Sequence, residues 1–350
     1  MHFLDDSLLP ETQEKLVIQV APYGPQWIPS DSNDIPVTFD EQVQKAVDCY
    51  NAGATVLHLH VREEDGKGSK KMSQFNKMIG LIRDAVPEMI IQVGGSISFA
   101  PEGEGQAANW LDYDTRHMLA ELNPKPEQVT IAINSSQMNL LEIMSDDDVA
   151  GTTLARPEYQ EAYSEMVVDA TPKFFIEHLK RLQENDIQPH FMLGQVHQLE
   201  TVERLIRKGL YKGPLNLNYV AIAGGSAGVD PSDLINFTKR CPPGSILTYE
   251  CLMRSVLPMN TLAIALGMHV RVGVEDNLWG RKGERMSSVA QVEKMVKIAR
   301  ELYRDVATGN EAREIYKIGQ KYKSAEETIY QLGMAPSRKP GQRGFTIPGH

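Results

Sequence analysis

Short apolar segments alternate with longer amphipathic segments along most of the chain. The short ones are rich in β-branched and aliphatic residues, as buried strands are, and the longer ones repeat apolar residues at helical spacing. The strand candidates are 16–21, 55–62, 89–94, 128–133, 188–193, 215–222, 245–251 and 269–275. The helix candidates lie near 40–52, 73–86, 107–122, 171–185, 197–209, 231–239, 258–267 and 287–304.

Several helix candidates begin with recognisable capping residues. Thr38 with Glu41 resembles a capping box, and Pro231 occupies a first helical position. Eight strands, each followed by a helix, predict an α/β fold, a (β/α)8 TIM barrel whose catalytic groups lie at the carboxyl ends of the strands. We assign residues 1–318 to the barrel and residues 319–350 to a C-terminal extension that packs on the barrel or on a neighbouring subunit.

Two strand candidates carry polar side chains where buried strands usually carry aliphatic ones. Side chains alternate between the faces of a strand, so His58 and His60 share one face of the second candidate. Arg271 and Glu275 share one face of the last candidate in the same way. Burying these groups without partners is costly, so the pattern predicts mutual pairing or a metal ion.

Two imidazoles and one carboxylate are the usual ligands of a catalytic zinc ion, and iron and manganese accept related sets. The spacing of His58 and His60 alone is not specific, because many buried histidines bond only to backbone carbonyls. In a closed barrel the last, first and second strands are neighbours, so Glu275 can converge with both histidines. Glu250, on the seventh strand candidate, is a rival ligand.

Composition narrows the class of protein. A formal charge of -10 disfavours nucleic acid and anionic membrane as main partners. Cys49, Cys241 and Cys251 are far apart, which argues against a disulfide framework, a thiolate zinc cluster or an iron–sulfur centre. No segment approaches the roughly 20 apolar residues of a membrane span, and the N-terminus lacks a secretory pattern. We therefore expect a cytoplasmic protein.

The motifs together resemble the β-keto acid cleavage enzymes. The similarity runs from about Leu16 to Ile318 and rests on 35–38, 52–54, 58–62, 91–93 and 271–277. The resemblance implies a zinc-dependent (β/α)8 barrel that condenses a β-keto acid with acetyl-CoA. A retro-Claisen step then splits the adduct into acetoacetate and a new acyl-CoA.

The resemblance also implies roles for individual residues. His58, His60 and Glu275 would be the zinc ligands, and Arg271 and Asp276 the catalytic pair, with Asp276 as the base that Arg271 orients. An ion pair at a strand end is the structural alternative for this pair. Asp276 also has the opposite strand parity to Glu275, so it must turn inward through the loop.

The resemblance also implies substrate contacts after the first, third and fourth strands. Ser96, Asn134 and Ser135 are candidates to hold the substrate carboxylate, although hydroxyl-rich loops also serve as simple turns. Gln26 matches a glutamate that, in a relative acting on an aminated keto acid, contacts the amino group. A neutral amide offers no charge to an ammonium ion, so we predict a keto acid without a cationic amine at this place.

Contacts to CoA are predicted after the sixth and eighth strands. Gly224 and Gly225 would bring backbone N–H groups close to a phosphate or the pantetheine arm, with a flexible loop as the alternative. Arg281 is a candidate for the CoA phosphates, with a solvated charge as the alternative. His190 stands near the place where the family tends to have an acidic residue. A metal ligand or a substrate contact is the functional alternative, and we interpret His190 as structural.

Two other functions use the same residues. A metal-dependent barrel hydrolase or aldolase would not need CoA, and a non-catalytic binding barrel would hold a structural metal with its fourth position closed. A requirement for acetyl-CoA separates these from acyl transfer. The resemblance further implies a homotetramer, and the long connection 134–169 is predicted to be a lid or an oligomer contact.

Overall fold

The computed structural model describes residues 6–95, 113–222, 228–339 and 341. Its strands are β1 (Ile18–Val20), β2 (Val56–Leu59), β3 (Ile90–Val93), β4 (Gln128–Ala132), β5 (Ser136–Gln137), β6 (Val167–Val168), β7 (Gln188–Leu193), β8 (Asn216–Ala221), β9 (Ile246–Cys251) and β10 (His269–Val272). All except β5 and β6 pair in parallel as a closed barrel in the order β1-β10-β9-β8-β7-β4-β3-β2. The predicted (β/α)8 barrel is confirmed.

Most helices follow the barrel strands and cover their outer face, and a few lie at the two ends of the barrel. They are α1 (Phe39–Ala52), α2 (Met72–Ala85), α3 (Tyr113–His117), α4 (Asp146–Val149), α5 (Pro157–Ser164), α6 (Pro172–Glu184), α7 (Gln198–Arg207), α8 (Pro231–Arg240), α9 (Val256–Ala265), α10 (Ser288–Glu301), α11 (Gly309–Ile315) and α12 (Ala325–Gln331). The helix predicted over 107–122 corresponds to α3 and a 3-10 turn at Met118–Glu121, while 107–112 lie outside the described residues.

The predicted helix starts are confirmed by their hydrogen bonds. Thr38 Oγ1 accepts from the backbone N–H of Glu41 at 3.2 Å, and Glu41 Oε2 accepts from the N–H of Thr38 at 2.9 Å. This reciprocal capping box satisfies two N–H groups that have no partner inside α1. At α8, Asp230 caps the helix and Pro231 begins it.

The barrel strands separate two kinds of environment. Their outward aliphatic side chains, such as Leu57 and Val93, pack beneath the helices in the main core. At the amino ends of the strands a second group of apolar side chains closes the barrel, and we call it the floor: Val17, Val56, Ile90, Ile246, Ala307, Ala312 and Tyr316. The last three come from α11 and from the residues on either side of it, so a helix after the eighth βα unit completes the floor.

The last barrel strand is shorter than predicted. β10 ends at Val272 because Gly273 leaves the strand conformation with a φ of 135°. Only glycine fits this position, since a β-carbon there would collide with the carbonyl oxygen of Ala21. The N–H groups of Asp276 and Asn277 then bond to the Gly273 carbonyl at 3.1 and 3.0 Å. The extension of the strand to residue 275 was wrong, and Glu275 lies on a tight turn.

The long connection 134–169 covers one side of the carboxyl end of the barrel. It contains the antiparallel pair β5–β6 and the short helices α4 and α5. Leu140, Leu154 and Tyr163 from this connection pack with Trp27 and Trp279 in a separate apolar cluster. The connection therefore forms a wall beside the carboxyl ends of the strands.

The described part of the C-terminal extension packs on the barrel. The Gly244 N–H donates to the Leu332 carbonyl at 3.1 Å, and Arg207 Nη2 donates to the Ala335 carbonyl at 2.9 Å. The division into residues 1–318 and 319–350 stays a prediction. Among the described residues, no helix combines the length and apolar character that crossing a membrane requires.

Candidate active site

Three predicted ligands converge at the carboxyl end of the barrel. His58 Nε2 lies 3.2 Å from His60 Nε2 and 3.5 Å from Glu275 Oε1, and the third side, from His60 Nε2 to Glu275 Oε1, measures 3.6 Å. Ligand atoms about 2.0–2.1 Å from a tetrahedral zinc ion would be roughly 3.3 Å apart. Oε2 of Glu275 is buried and has no hydrogen-bond partner within the described ranges. The donor set and its spacing fit a metal ion.

Close backbone packing brings these ligands together. A β-carbon on Gly94, after β3, would lie 2.5 Å from His60 Nε2 and 2.9 Å from His58 Nε2. A β-carbon on Gly24, after β1, would lie 2.7 Å from Glu275 Cα. Side chains at either position would therefore push the imidazoles or the Glu275 turn out of place.

The two imidazoles are buried, and a second contact fixes the ring of His58. His58 Nδ1 lies 2.8 Å from Gln92 Oε1, which is a hydrogen-bond acceptor, so Nδ1 carries the proton. Burial, and then the positive charge of Arg271, hold the pKa of His58 well below its usual value. The ring is therefore neutral at pH 7, the form in which histidine binds metals.

Arg271 joins three carboxylates beside the imidazoles. Its Nε and Nη2 donate to the two carboxylate oxygens of Asp276, both at 2.8 Å, in a bidentate pair. Nη2 also donates to Glu275 Oε1 at 2.6 Å, and Nη1 lies 3.2 Å from Glu250 Oε2. The turn after Gly273 thus brings Asp276 inward, as its predicted contact with Arg271 requires.

The buried charges of this cluster do not balance. Three carboxylates, on Glu250, Glu275 and Asp276, surround the single guanidinium of Arg271. Burial raises the pKa of Asp276 and of Glu250, and the neighbouring carboxylates raise both further. Burial acts in the same direction on Glu275, but Arg271 and the imidazoles hold its pKa below the usual value. A divalent cation would neutralise the surplus negative charge.

A cavity opens above the cluster, and most of its ionisable side chains lie at its inner end. His58, Glu250, Arg271, Glu275 and Asp276 line that end. Its walls are largely apolar, formed by the side chains of Met138, Leu140, Phe174, Val168, Met192, Val220, Ile222 and Leu252. A small molecule in this cavity would place its polar group against the cluster and an apolar group against the walls.

Two of the predicted substrate contacts lie on the cavity. Gln26 lines it and donates its amide N–H to the backbone carbonyl of Glu275. Asn134 also lines it, with a φ of 65° and a 3.1 Å hydrogen bond from Nδ2 to Thr201 Oγ1. Ser135 instead bonds to Asp169 and to the N–H of Ala170, whereas its neighbour Ser136 lines the cavity.

The remaining candidates are not among the described residues that line the cavity. Ser96, Gly224 and Gly225 fall outside the described residues. Arg281 is exposed in the loop after β10 and is not a residue of the cavity lining, and the adjacent Lys282 pairs with Asp147 at 2.7 Å.

The two polar residues that sequence reasoning left open do not join the ligands. In the part of the chain that the structure describes, the side chains grouped closely enough to hold an ion together are His58, His60 and Glu275. Glu250 Oε2 accepts from Asn218 Nδ2 at 2.5 Å as well as facing Arg271. His190 is fully buried in the barrel interior, and burial together with Arg271 lowers its pKa to about 3.

Sequence reasoning missed four residues near the site: Gln92, Arg116, Thr130 and Asn218. Gln92 and Asn218 could have been found, because each is an amide at an inward position of an apolar strand. Thr130 lines the cavity and accepts the Gly95 N–H at 2.5 Å. Arg116 is buried on α3, lines the cavity and lies 4.0 Å from the ring centre of Phe174. No sequence signal marks its approach.

Comparison with known sequences agrees with this geometry. The sequence model described as beta-keto acid cleavage enzyme matches residues 15–318. The chain belongs to the β-keto acid cleavage enzyme family. The family prediction is therefore confirmed, and with it the class of enzyme, a carbon–carbon bond-cleaving acyltransferase.

Two curated relatives span nearly the same length. A 3-keto-5-aminohexanoate cleavage enzyme from Acetoanaerobium sticklandii is 30% identical over 310 residues, covering 88% of this chain and 100% of the relative. A 3,5-dioxohexanoate:acetyl-CoA acetone transferase from Paraburkholderia graminis is 25% identical over 314 residues, covering 88% of this chain and 97% of the relative. These relatives differ in the keto acid that their names give.

A solved structure shares the fold at low sequence identity. The binary complex of ObcA with oxaloacetate superposes with a TM-score of 0.60 at 12% identity, covering 82% of this chain and 68% of that chain. At this identity the likeness supports the barrel fold alone.

Proposed function

We propose that the protein condenses a β-keto acid with acetyl-CoA at a zinc ion held by His58, His60 and Glu275. The products are acetoacetate and a new acyl-CoA. The observation that carries the proposal is the buried triangle of two imidazole nitrogens and one carboxylate oxygen, with sides of 3.2, 3.5 and 3.6 Å. Family membership and an acetyl-CoA transferase among the relatives support acetyl-CoA as the second substrate.

Zinc suits the donor set better than magnesium or calcium, because two of three ligand atoms are imidazole nitrogens. A bound divalent ion supplies Lewis acidity for the keto oxygen and so favours loss of a proton from the adjacent carbon. Iron and manganese accept related ligand sets and are the alternatives for the metal.

Asp276 is the base in this proposal. It takes the proton from the carbon between the keto and carboxylate groups, while Arg271 holds both of its oxygens at 2.8 Å. That carbon attacks the thioester carbonyl of acetyl-CoA and displaces the CoA thiolate. The thiolate then attacks the keto carbon, the bond to the former nucleophilic carbon breaks, and Asp276 returns its proton to that carbon. Acetoacetate and the new acyl-CoA result.

No side chain of the enzyme needs to act as a nucleophile in this sequence. The three cysteines fit that expectation, because all are buried. Burial raises the pKa of the Cys49 thiol to about 12 and raises the pKa of the Cys251 thiol well above its usual value. Neither thiol is ionised near pH 7.

The keto acid carries an apolar or uncharged group in this proposal. Gln26, a neutral amide at the cavity edge, already uses its N–H on the Glu275 carbonyl. The apolar walls offer no charge to an ammonium ion, which would lose its hydration without compensation. A keto acid with an alkyl or other uncharged group fits these walls.

The test is acetoacetate formation from a panel of β-keto acids with alkyl, carboxylate or ammonium groups at the far end. Activity that requires both acetyl-CoA and zinc, and favours the alkyl members, is expected. Gln26→Glu should raise the relative kcat/KM for the ammonium member by about ten-fold, since a new ion pair in a cavity is worth roughly 1–2 kcal/mol. The matched control Gln160→Glu, on an exposed face of α5, should change nothing.

Other results of this experiment would contradict the proposal. Product formation without acetyl-CoA would favour the metal-dependent hydrolase or aldolase. Failure of every keto acid with zinc-loaded protein would favour a binding barrel. Efficient turnover of the ammonium member by the natural sequence would contradict the predicted substrate class alone.

The finer parts of the proposal rest on sequence reasoning. The substrate carboxylate is assigned to Ser96, Asn134 and Ser135, and the CoA moiety to Gly224, Gly225 and Arg281. A homotetramer in the cytoplasm, with 319–350 as a separate extension of the 1–318 barrel, stays a prediction. Among these contacts, the assignment of Asn134 is supported by its position on the cavity lining.

A further inference from the structure

A chain of buried amide side chains crosses the barrel interior between the metal ligands and the floor. Gln92 Nε2 donates to Gln128 Oε1 at 2.9 Å, and Gln128 Nε2 donates to Gln188 Oε1 at 2.7 Å. Gln188 Nε2 then donates to the backbone carbonyls of Tyr316 and Lys317 at 3.1 and 3.2 Å. All three glutamines are buried, so these bonds replace water.

The two backbone carbonyls determine the direction of every bond in this chain. They follow α11 and can only accept, so Gln188 must present its NH2 group to them and its oxygen to Gln128. Asn216 enforces the same orientation, because its Nδ2 donates to Gln188 Oε1 at 3.0 Å and to the Tyr316 carbonyl at 3.1 Å. Gln128 must therefore present its oxygen to Gln92.

The same constraint reaches the metal ligands. Gln92 must turn its NH2 group toward Gln128, which leaves Oε1 facing His58 Nδ1 at 2.8 Å. Gln19 Nε2 donates to the same oxygen at 2.9 Å, which also keeps it an acceptor. His58 must then be protonated on Nδ1, and its Nε2 lone pair points toward His60 and Glu275.

We propose that the chain Gln92–Gln128–Gln188, anchored on the carbonyls of Tyr316 and Lys317, holds His58 in the Nδ1-protonated tautomer and thereby prepares Nε2 as a metal ligand. Gln92 is a positioning residue, and the end of α11 sets the polarity of the chain. The metal affinity part of this inference rests on the proposed function. The tautomer part does not, because the hydrogen bonds exist without an ion.

The first test is zinc affinity, measured by competition with a chelator. Gln92→Met removes the acceptor and should weaken binding by about 10–100-fold, the usual cost of losing a partner of a ligating histidine. Gln92→Glu, in its neutral carboxylic acid form, can accept from His58 and donate to Gln128, so its affinity should stay within about three-fold of wild type. Gln42→Met, a buried glutamine of α1 that bonds to Val37, is the matched control and should bind normally.

The second test uses the far end of the chain. Gln188→Met removes the anchor, so the amide groups of Gln128 and Gln92 can rotate and exchange their oxygen and NH2 positions. Zinc binding should weaken by a smaller factor than in Gln92→Met. A bystander role for Gln188 predicts no change, because it does not contact any metal ligand. Circular dichroism checks that each variant is folded.

The third test needs no variant. Neutron diffraction from metal-free crystals of the natural sequence should place deuterium on Nδ1 of His58 and none on Nε2. Deuterium on Nε2 would overturn the inference, as would unchanged zinc affinity in folded Gln92→Met. Absence of zinc binding by the natural protein would overturn the proposed metal instead, and the neutron result would still decide the tautomer.

Discussion

The two ends of the barrel are built from the same strands and have opposite chemistry. On β2, Val56 belongs to the apolar floor, while His58, two residues later, belongs to the ligand triangle. On β10, His269 lies beside Tyr316 near the floor, while Arg271, two residues later, holds three carboxylates. One step of the strand repeat therefore separates a residue that seals the barrel from one that can do chemistry.

The two ends also contribute differently to stability. The floor removes apolar side chains from water, which stabilises the fold. The carboxyl end of the barrel, which we call the mouth, buries three carboxylates around one guanidinium. This burial costs free energy until a cation binds. The comparison predicts that mouth variants lose activity and keep stability, whereas floor variants lose stability and keep activity.

The largest expected effect is at the mouth. Asp276→Asn preserves shape but removes the base, so kcat for acetoacetate formation should fall by about 10³-fold, within the usual range for a general base. The melting temperature should change little, because removing one buried negative charge from an excess offsets the loss of one hydrogen bond from Arg271. Asp147→Asn, which only breaks the exposed pair with Lys282, is the control. Comparable activity in both variants would contradict the role of Asp276.

The next effect is at the floor. Ile90→Ala should destabilise the protein by about 2–5 kcal/mol, since Ile90 is fully buried and its loss leaves a cavity. Urea unfolding measures this, and kcat of the folded fraction at 25 °C should stay near wild type. Ile176→Ala, on an exposed part of α6, should cost far less. A floor variant with reduced kcat and an unchanged free energy of unfolding would contradict the comparison.

The smallest effect lies between the two ends. The pKa of His190 is about 3 because the ring is buried and faces Arg271, compared with roughly 6.5 in an unfolded chain. The unfolded state therefore binds more protons between these values, and stability falls as pH is lowered through this window. Between pH 6.5 and 5.5 wild type should lose about 1 kcal/mol more than His190→Gln in urea unfolding. Equal losses would show that His190 does not stay neutral.

Sequence reasoning brought the three candidate metal ligands together because strand periodicity determines which side chains share a face. The repeat of two puts His58 and His60 on one face, and closure of the barrel brings the last strand to them. The same periodicity would have revealed Gln92, an inward amide between aliphatic neighbours. The same kind of pattern predicted the outward aliphatic face of the strands and the helices between them. Together these predictions led to the barrel fold.

The predictions that were wrong or incomplete depend on local backbone geometry, or on which distant residues come close together in the fold. The left-handed φ of Gly273 ended β10 early and moved Glu275 onto a turn, which strand parity could not foresee. A single residue separates Ser136, on the cavity, from Ser135, which ties the loop to Asp169. Arg116 reaches the cavity from a helix. The spacing of residues along a helix does not show how close one of them comes to a strand elsewhere in the chain.

The most direct test of the central claim is the position of zinc in crystals of the active protein, measured by diffraction on both sides of the zinc absorption edge. We predict one anomalous peak at the carboxyl end of the barrel, bonded to Nε2 of His58, Nε2 of His60 and Glu275, with a position left open for the keto acid. A peak elsewhere, or one whose fourth position Glu250 closes, would contradict the claim that this triangle is the catalytic metal site.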